Sequence, residues 1–252
     1  DPYAFSVIRE IFFFSALDPV HGEELYRSNG DPAGTTLLKD IYPGPKSSFP
    51  YFTTQFEGFI VFAAEHPIYG RELWRSGGSE VSTVLVRDLL QDGLQNPSSS
   101  PQEITATTNL LFFTADDLNH GMELWCTDST ENGTRLVRDI FPGRASSDPQ
   151  ELTAVGDLVY FRADNATHGV ELWVSDGTER GTKLVQDISH EGSSAPRELT
   201  VYQDKIIFVA YNPQRGDELW IADQFSADSL GDVRVGSESS NPKDLTVWGD
   251  LV

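Results

Sequence analysis

Five glutamates recur in one fixed setting. The phrase Gly-x-Glu-Leu followed by Trp or Tyr places Glu24, Glu72, Glu123, Glu171 and Glu218 two residues after a glycine and two before an aromatic side chain. A polar loop just upstream carries Asp18, Asp117, Asn165 or Asn212 in four of the five settings. Carboxylate and amide oxygens are the ligand types that Ca²⁺ prefers. The formal net charge of -21, from 39 acidic and 18 basic side chains, is compatible with divalent cations. The competing chemistry is architectural. A carboxylate at the start of a strand can accept backbone N–H groups from the loop of the next unit and lock successive units together. Five occurrences in five settings favour the lock, because functional groups usually break symmetry while architecture keeps it. The calcium-loop spacing D-x-[DN]-x-[DN]-G is absent, and the second setting offers Glu65-His66 instead. No cofactor is required, and Ca²⁺ is the cation left open as a ligand of these carboxylates.

Other reactive types are scattered. His21, His120 and His168 share the position before the repeated glycine, but Tyr69 and Arg215 fill that slot elsewhere, so no full histidine ring exists. Loop histidines packing on Pro or Trp are expected there, with His66 and His190 isolated in solvent. Asp40, Asp88, Asp139 and Asp187 close successive segments and read as Asx-type turn anchors. There is no G-x-S-x-G phrase, and the lone Cys126 aligns with Val174, as a buried thiol would. No asymmetric pair of acids stands out as a glycosidase would need. No residue is assigned a catalytic role. Asn132 and Asn165 open Asn-x-Thr triplets in predicted turns and are candidates for N-glycosylation.

The elements that position these groups follow from an internal repeat. "DPQELTAVGDLVYFRA", from Asp148, has counterparts starting at Asp1, Phe49, Ser100 and Ala195, and a shortened one at Asn241; the offsets are 48, 51, 48, 47 and 46 residues. Within each full copy the spacing Phe-x-Ala, five residues, Gly-x-Glu-Leu-aromatic has no gap. The phenylalanines are Phe14, Phe62, Phe113, Phe161 and Phe208, and the aromatics are Tyr26, Trp74, Trp125, Trp173 and Trp220. Each copy reads as four short strands separated by turn-rich segments, and nothing has helical period. Four strands in about 48 residues is the size of one propeller blade. The predicted fold is therefore an all-β propeller of four-stranded blades. Its full blades are residues 1–48, 49–99, 100–147, 148–194 and 195–240, and residues 241–252 start a sixth. A lone blade cannot cover its two apolar faces. Stacking buries the Phe and Trp of each copy between neighbours, at roughly 1.5–3 kcal/mol per side chain. The Ser- and Pro-rich linkers between copies, such as "PGPKSSFP" and "HEGSSAP", read as exposed loops.

The phrases "ELWVSDGTERGT" and "ELWCTDSTENGT" resemble the ELWxxDGT repeat family of secreted and surface proteins, and the likeness spans essentially the whole chain. The fifth copy departs after Trp220, where "IADQFSADSLGD" lacks the Gly-Thr ending, which puts its last hairpin in doubt. The resemblance implies an extracellular or cell-surface repeat scaffold and no catalytic activity. The expectation is accordingly a non-enzymatic interaction module whose partners are copies of itself or extracellular matrix and surface proteins. A ligand-binding propeller, lectin-like or Ca²⁺-binding, with glycans as partners, is the alternative, and an enzyme of glycosidase or lyase type ranks third. The negative surface repels nucleic acid. No apolar run reaches the ~20 residues that a membrane helix needs. Asp1 and Val252 both fall in mid-pattern, so the chain reads as a portion of a longer protein.

Overall fold

The computed structural model describes residues 3–90 and 97–247. The first residue of the "NPSSSP" linker and residues 248–252 of the sixth copy lie outside that description. Each full copy forms one antiparallel four-stranded meander, with strands hydrogen-bonded in sequence order. Sheet 1 holds β1 (Tyr3–Ile8), β2 (Ile11–Asp18), β3 (Gly22–Ser28) and β4 (Thr36–Leu37). Sheet 2 holds β5 (Tyr51–Phe56), β6 (Phe59–His66), β7 (Gly70–Ser76) and β8 (Val84–Arg87). Sheet 3 holds β9 (Gln102–Ala106), β10 (Leu111–Asp116), β11 (Met122–Thr127) and β12 (Arg135–Arg138). Sheet 4 holds β13 (Gln150–Val155), β14 (Leu158–Asp164), β15 (Val170–Ser175) and β16 (Lys183–Gln186). Sheet 5 holds β17 (Arg197–Tyr202), β18 (Lys205–Asn212), β19 (Gly216–Ala222) and β20 (Ala227–Ser229). Among the described residues no helix is long and apolar enough to cross a membrane.

The gapless phrase is a hairpin register. In sheet 4, Phe161 lies opposite Trp173 and Ala163 opposite Glu171. The same pairs recur as Phe62 with Trp74 and Ala64 with Glu72, and as Phe113 with Trp125 and Ala115 with Glu123. One inserted residue would move one side chain of each pair to the other face of its strand. In two copies the indole also bonds across the hairpin: Trp125 Nε1 donates to the Ala115 carbonyl at 3.1 Å, and Trp220 Nε1 to that of Ala210 at 3.2 Å.

Alternation along the strands gives each inner sheet two apolar faces. Phe161 and Trp173 enter a core shared with Phe112, Leu124 and Cys126 of sheet 3. Tyr160, Leu172 and Val174, on the opposite face, enter a core shared with Phe208 and Trp220 of sheet 5. Corresponding cores join sheets 1 and 2 and sheets 2 and 3. First strands lie side by side at the inner edge, where Thr54 Oγ1 donates to the Ile104 carbonyl at 2.9 Å and Thr105 Oγ1 to that of Leu152 at 3.1 Å.

Four details differ from the sequence expectation. Phe62, Phe113, Phe161 and Phe208 are fully buried, but Phe14 is half-buried and stacks on the half-buried Tyr26 at 5.9 Å, while Phe13 faces sheet 2 and is 2% exposed. The positions of Phe14 and Tyr26 face the preceding sheet in every other copy, and among the described residues no sheet shares a core with that face of sheet 1. The linkers are not simply exposed loops: Ser48, Ser99, Ser147 and Ser194 are buried. Sheet 5 keeps its last hairpin through a shorter turn, with Trp220 opposite Ser229 and Ala222 opposite Ala227. The start of the sixth copy forms no strand among its described residues. Asn241 and Asp244 nonetheless have φ of +50° and +57°, matching +46° at Asp148 and +57° at Glu151.

Candidate functional site

The five repeated glutamates are all fully buried. Each stands at the start of a third strand and faces the linker that leaves its own sheet, not the loop of the next unit that the sequence predicts. Glu171 Oε1 accepts the Ser194 N–H at 2.8 Å, and its Oε2 accepts the Ile188 N–H at 3.3 Å and the Ser194 hydroxyl at 2.5 Å. Glu123 accepts from the N–H groups of Ile140, Phe141 and Ser147 and from the Ser147 hydroxyl. Glu24 takes Tyr42 N–H and Ser48 Oγ, Glu72 takes Ser99 N–H and Oγ, and Glu218 takes Val233 N–H with Ser240 N–H and Oγ. In the first four sheets the serine that the glutamate holds then reaches the next sheet: Ser147 O accepts from Asp164 N–H at 2.9 Å, and Ser194 O from Tyr211 N–H at 2.8 Å. The other serine of each linker accepts a third-strand N–H, as Ser193 Oγ does from Val170 at 2.9 Å. The Ser-Ser pair is thus a two-pronged clip, and the burial of its second member follows.

Burial pushes the carboxyls up, to about 7 for Glu24, Glu123 and Glu171 and about 8 for Glu72, against hydrogen bonds that pull them down. The repeated glycine fits the same geometry. Gly70 has φ of +67°, and a Cβ there would lie 2.0 Å from the Pro97 carbonyl oxygen of the linker.

The loop before the repeated glycine is an Asx turn in four of the five copies; in the second, His66 Nδ1 accepts the Ile68 N–H instead. Asp18 Oδ1 accepts the N–H groups of Val20 and His21, and its Oδ2 meets His21 Nδ1 at 2.8 Å. Asp117 holds His120 in the same way at 2.7 Å, and Asn165 holds His168. These histidines pair with the turn acid or amide rather than simply packing on Pro or Trp. The Tyr26 hydroxyl and His21 hold the Asp18 carboxyl well below the usual carboxylate range, and Asp18 in turn raises His21. His66 is not isolated: it stacks on Tyr69 at 4.6 Å, and burial lowers its pKa. His190 stays largely exposed and meets Asp187 at 3.4 Å. The closing acids anchor turns, as Asp139 does for Gly143 N–H at 3.1 Å. Cys126 is buried and its thiol pushed up to about 11 by that burial. Asn132 is exposed, whereas the Asn165 amide nitrogen lies 3.0 Å from His168 Nδ1. Among the described residues no group of three or more His, Cys, Asp or Glu is placed to hold a metal ion.

Sequence reasoning missed two sets of residues. One is a second row of carboxylates on first-strand bulges: Glu103 Oε2 accepts Leu152 N–H at 3.3 Å and Glu151 Oε2 accepts Leu199 N–H at 3.1 Å, each across to the next sheet. Its signal was the Pro-x-Glu/Asp opening of the last four copies. The other is a groove on the linker side of sheets 3 and 4. A cleft of about 320 Å³ is lined by Asp148, Gln150, Arg162, Asp164 and Ser193, among others. It shares Asp148 and Gln150 with a smaller one of about 190 Å³, which Glu103, Thr114 and Met122 also line. Arg162 gave a signal: the same position is Ser15, Ala63, Thr114 and Val209 in the other copies.

A scan against protein-family models finds no match, and a search of curated proteins finds none either. Solved structures do match. Puromycin hydrolase aligns over 94% of this chain and 38% of its own, with 13% identity and a TM-score of 0.56. A prolyl endopeptidase aligns over 88% of this chain and 33% of its own, with 11% identity and a TM-score of 0.54. The chain thus spans less than two fifths of either protein, and the likeness is to peptidase propeller domains. At these identities it defines the class by fold alone: an all-β array of propeller type. It also corrects the expected function. A self-standing extracellular scaffold, with its lectin-like and glycosidase alternatives, gives way to a fold found here as a domain within peptidases.

Proposed function

We propose that the chain is a propeller segment serving as an accessory domain of a larger hydrolase that acts on peptide or amide bonds. The likeness to puromycin hydrolase over 94% of this chain and only 38% of that enzyme carries the reading. The repeated carboxylates agree with it. Every one is buried and committed to holding a linker, so the groups common to all copies serve architecture. The repeated phrase, with its resemblance to ELWxxDGT repeats, supports treating the sheets as blades, with a sixth beginning at Asn241.

The test uses the native polypeptide, captured with an antibody raised against this chain and assayed on aminoacyl amides and short peptides. Hydrolysis by the captured polypeptide, and none by the isolated chain, is the expected result. Turnover by the isolated chain, or none by either, would overturn the accessory role.

A further inference from the structure

The groove at sheets 3 and 4 is where the array breaks its own symmetry. Arg162 is partly buried, and its guanidinium, with five N–H donors, bonds only Gln150 Oε1 and makes no ion pair among the described residues. Asp148, across the same cleft, takes no hydrogen bond on its carboxylate among the described residues, and Asp164 takes one, from Ala166 N–H at 2.8 Å. A guanidinium with unused donors and two carboxylates with unused acceptors therefore line one cleft of about 320 Å³, the small end of the range for small-molecule sites. In sheet 5 the corresponding positions pair off internally: Arg197, which aligns with Gln150, bonds Asp217 at 2.8 Å.

We infer that this groove binds a short zwitterionic peptide of dipeptide size, its terminal carboxylate on Arg162 and its ammonium on Asp164 and Asp148. Arg matches a carboxylate in two parallel hydrogen bonds. Arg162 and Asp164 are two apart on β14, so they project from the same face about 6.5–7 Å apart. Two extended residues span about 7 Å. A net charge of -21 disfavours a simple anion, whereas a zwitterion brings no net charge into that field. The adjoining cleft of about 190 Å³, with Met122 and Thr114, leaves room for a side chain. The groove's chemistry is independent of any domain that accompanies the array.

Calorimetric titration of the chain with alanyl-alanine, its C-terminal amide and its N-acetyl form tests this directly. Alanyl-alanine is expected to bind with a Kd below about 1 mM. Amidation should weaken it by about tenfold or more, and acetylation should also weaken it. Arg162→Gln should cost the acid about tenfold while leaving the amide unchanged and the melting temperature close to wild type. If that variant fails to fold, the acid-against-amide comparison on the wild type decides. Equal affinity for acid and amide, or no heat up to about 10 mM alanyl-alanine, would overturn the assignment.

Discussion

At the residue scale, the recurrent glutamate acts through the donors that would be stranded without it. Glu171→Ala leaves Ile188 N–H, Ser194 N–H and the Ser194 hydroxyl without their acceptor inside the protein. An orphaned buried donor costs about 1–3 kcal/mol, so a loss of at least that size is expected in urea denaturation. It should be the same with and without chelator; a loss that disappears in chelator would make the carboxylate a cation ligand instead. The glycine two residues before each glutamate offers an internal comparison. Gly70→Ala must place a Cβ against the Pro97 carbonyl and hold φ at +67°, whereas Gly156→Ala, at +61°, meets nothing within 4 Å. The second change carries only the left-handed penalty of about 1–2 kcal/mol. Gly70→Ala should cost clearly more, and equal melting temperatures for the two variants would refute the close-approach account. Residue types and spacing made the glutamate legible as a lock. Its serine partners read as ordinary linker, since nothing local in "SSFP" or "SSAP" says which hydroxyl faces inward.

At the scale of the element, each sheet is a meander whose hairpin register follows from local pattern, while its stability depends on where it stands in the array. Trp125 lies in the core between sheets 2 and 3, whereas Tyr26 stands half-buried on the face of sheet 1 that no described sheet covers. Trp125→Ala should cost about 3–5 kcal/mol, the usual range for a buried aromatic. Tyr26→Ala should cost distinctly less, although the residues occupy the same place in the repeat. Chemical denaturation of both variants checks this, and comparable losses would mean that the face of sheet 1 is covered in solution. The hairpin of sheet 5 carries a related lesson. Losing the Gly-Thr ending removes the buried hydroxyl pair seen as Ser175 with Thr182 at 2.8 Å, yet the strand survives because Trp220 to Ala222 still finds a partner in Ala227 to Ser229.

For the whole molecule, the buried carboxyls of the first four linker clips make stability pH-dependent. The folded values of Glu24, Glu72, Glu123 and Glu171 lie at about 7 to 8, above the ordinary 4.5. Between those limits the folded chain holds protons that the unfolded chain releases, so stability falls as pH rises. His21 and His120, raised by their turn acids, act in the same direction. Asp18, Asp117 and Asp176 are held low and withdraw stability only as pH falls below the ordinary carboxylate range. The melting temperature should therefore be higher near pH 5 than near pH 8. Calorimetry across that window checks the sign, and a higher value at pH 8 would show that the clips are ionised when folded.

The sequence by itself determined the period, the four strands per copy, the pairing of Phe with Trp and Ala with Glu, and even the backbone of Asn241 and Asp244, which adopt the repeat's left-handed angles without forming a strand. These are local properties, set by alternation, glycine and turn chemistry over a few residues. Only the tertiary structure decided that Phe14 and Tyr26 stand half-buried, that one serine of each of the first four linkers is buried, and that Arg162, Asp148 and Asp164 share a groove. Each of those depends on how closely one sheet approaches the next, and the spacing of residues within a single copy carries no record of that distance.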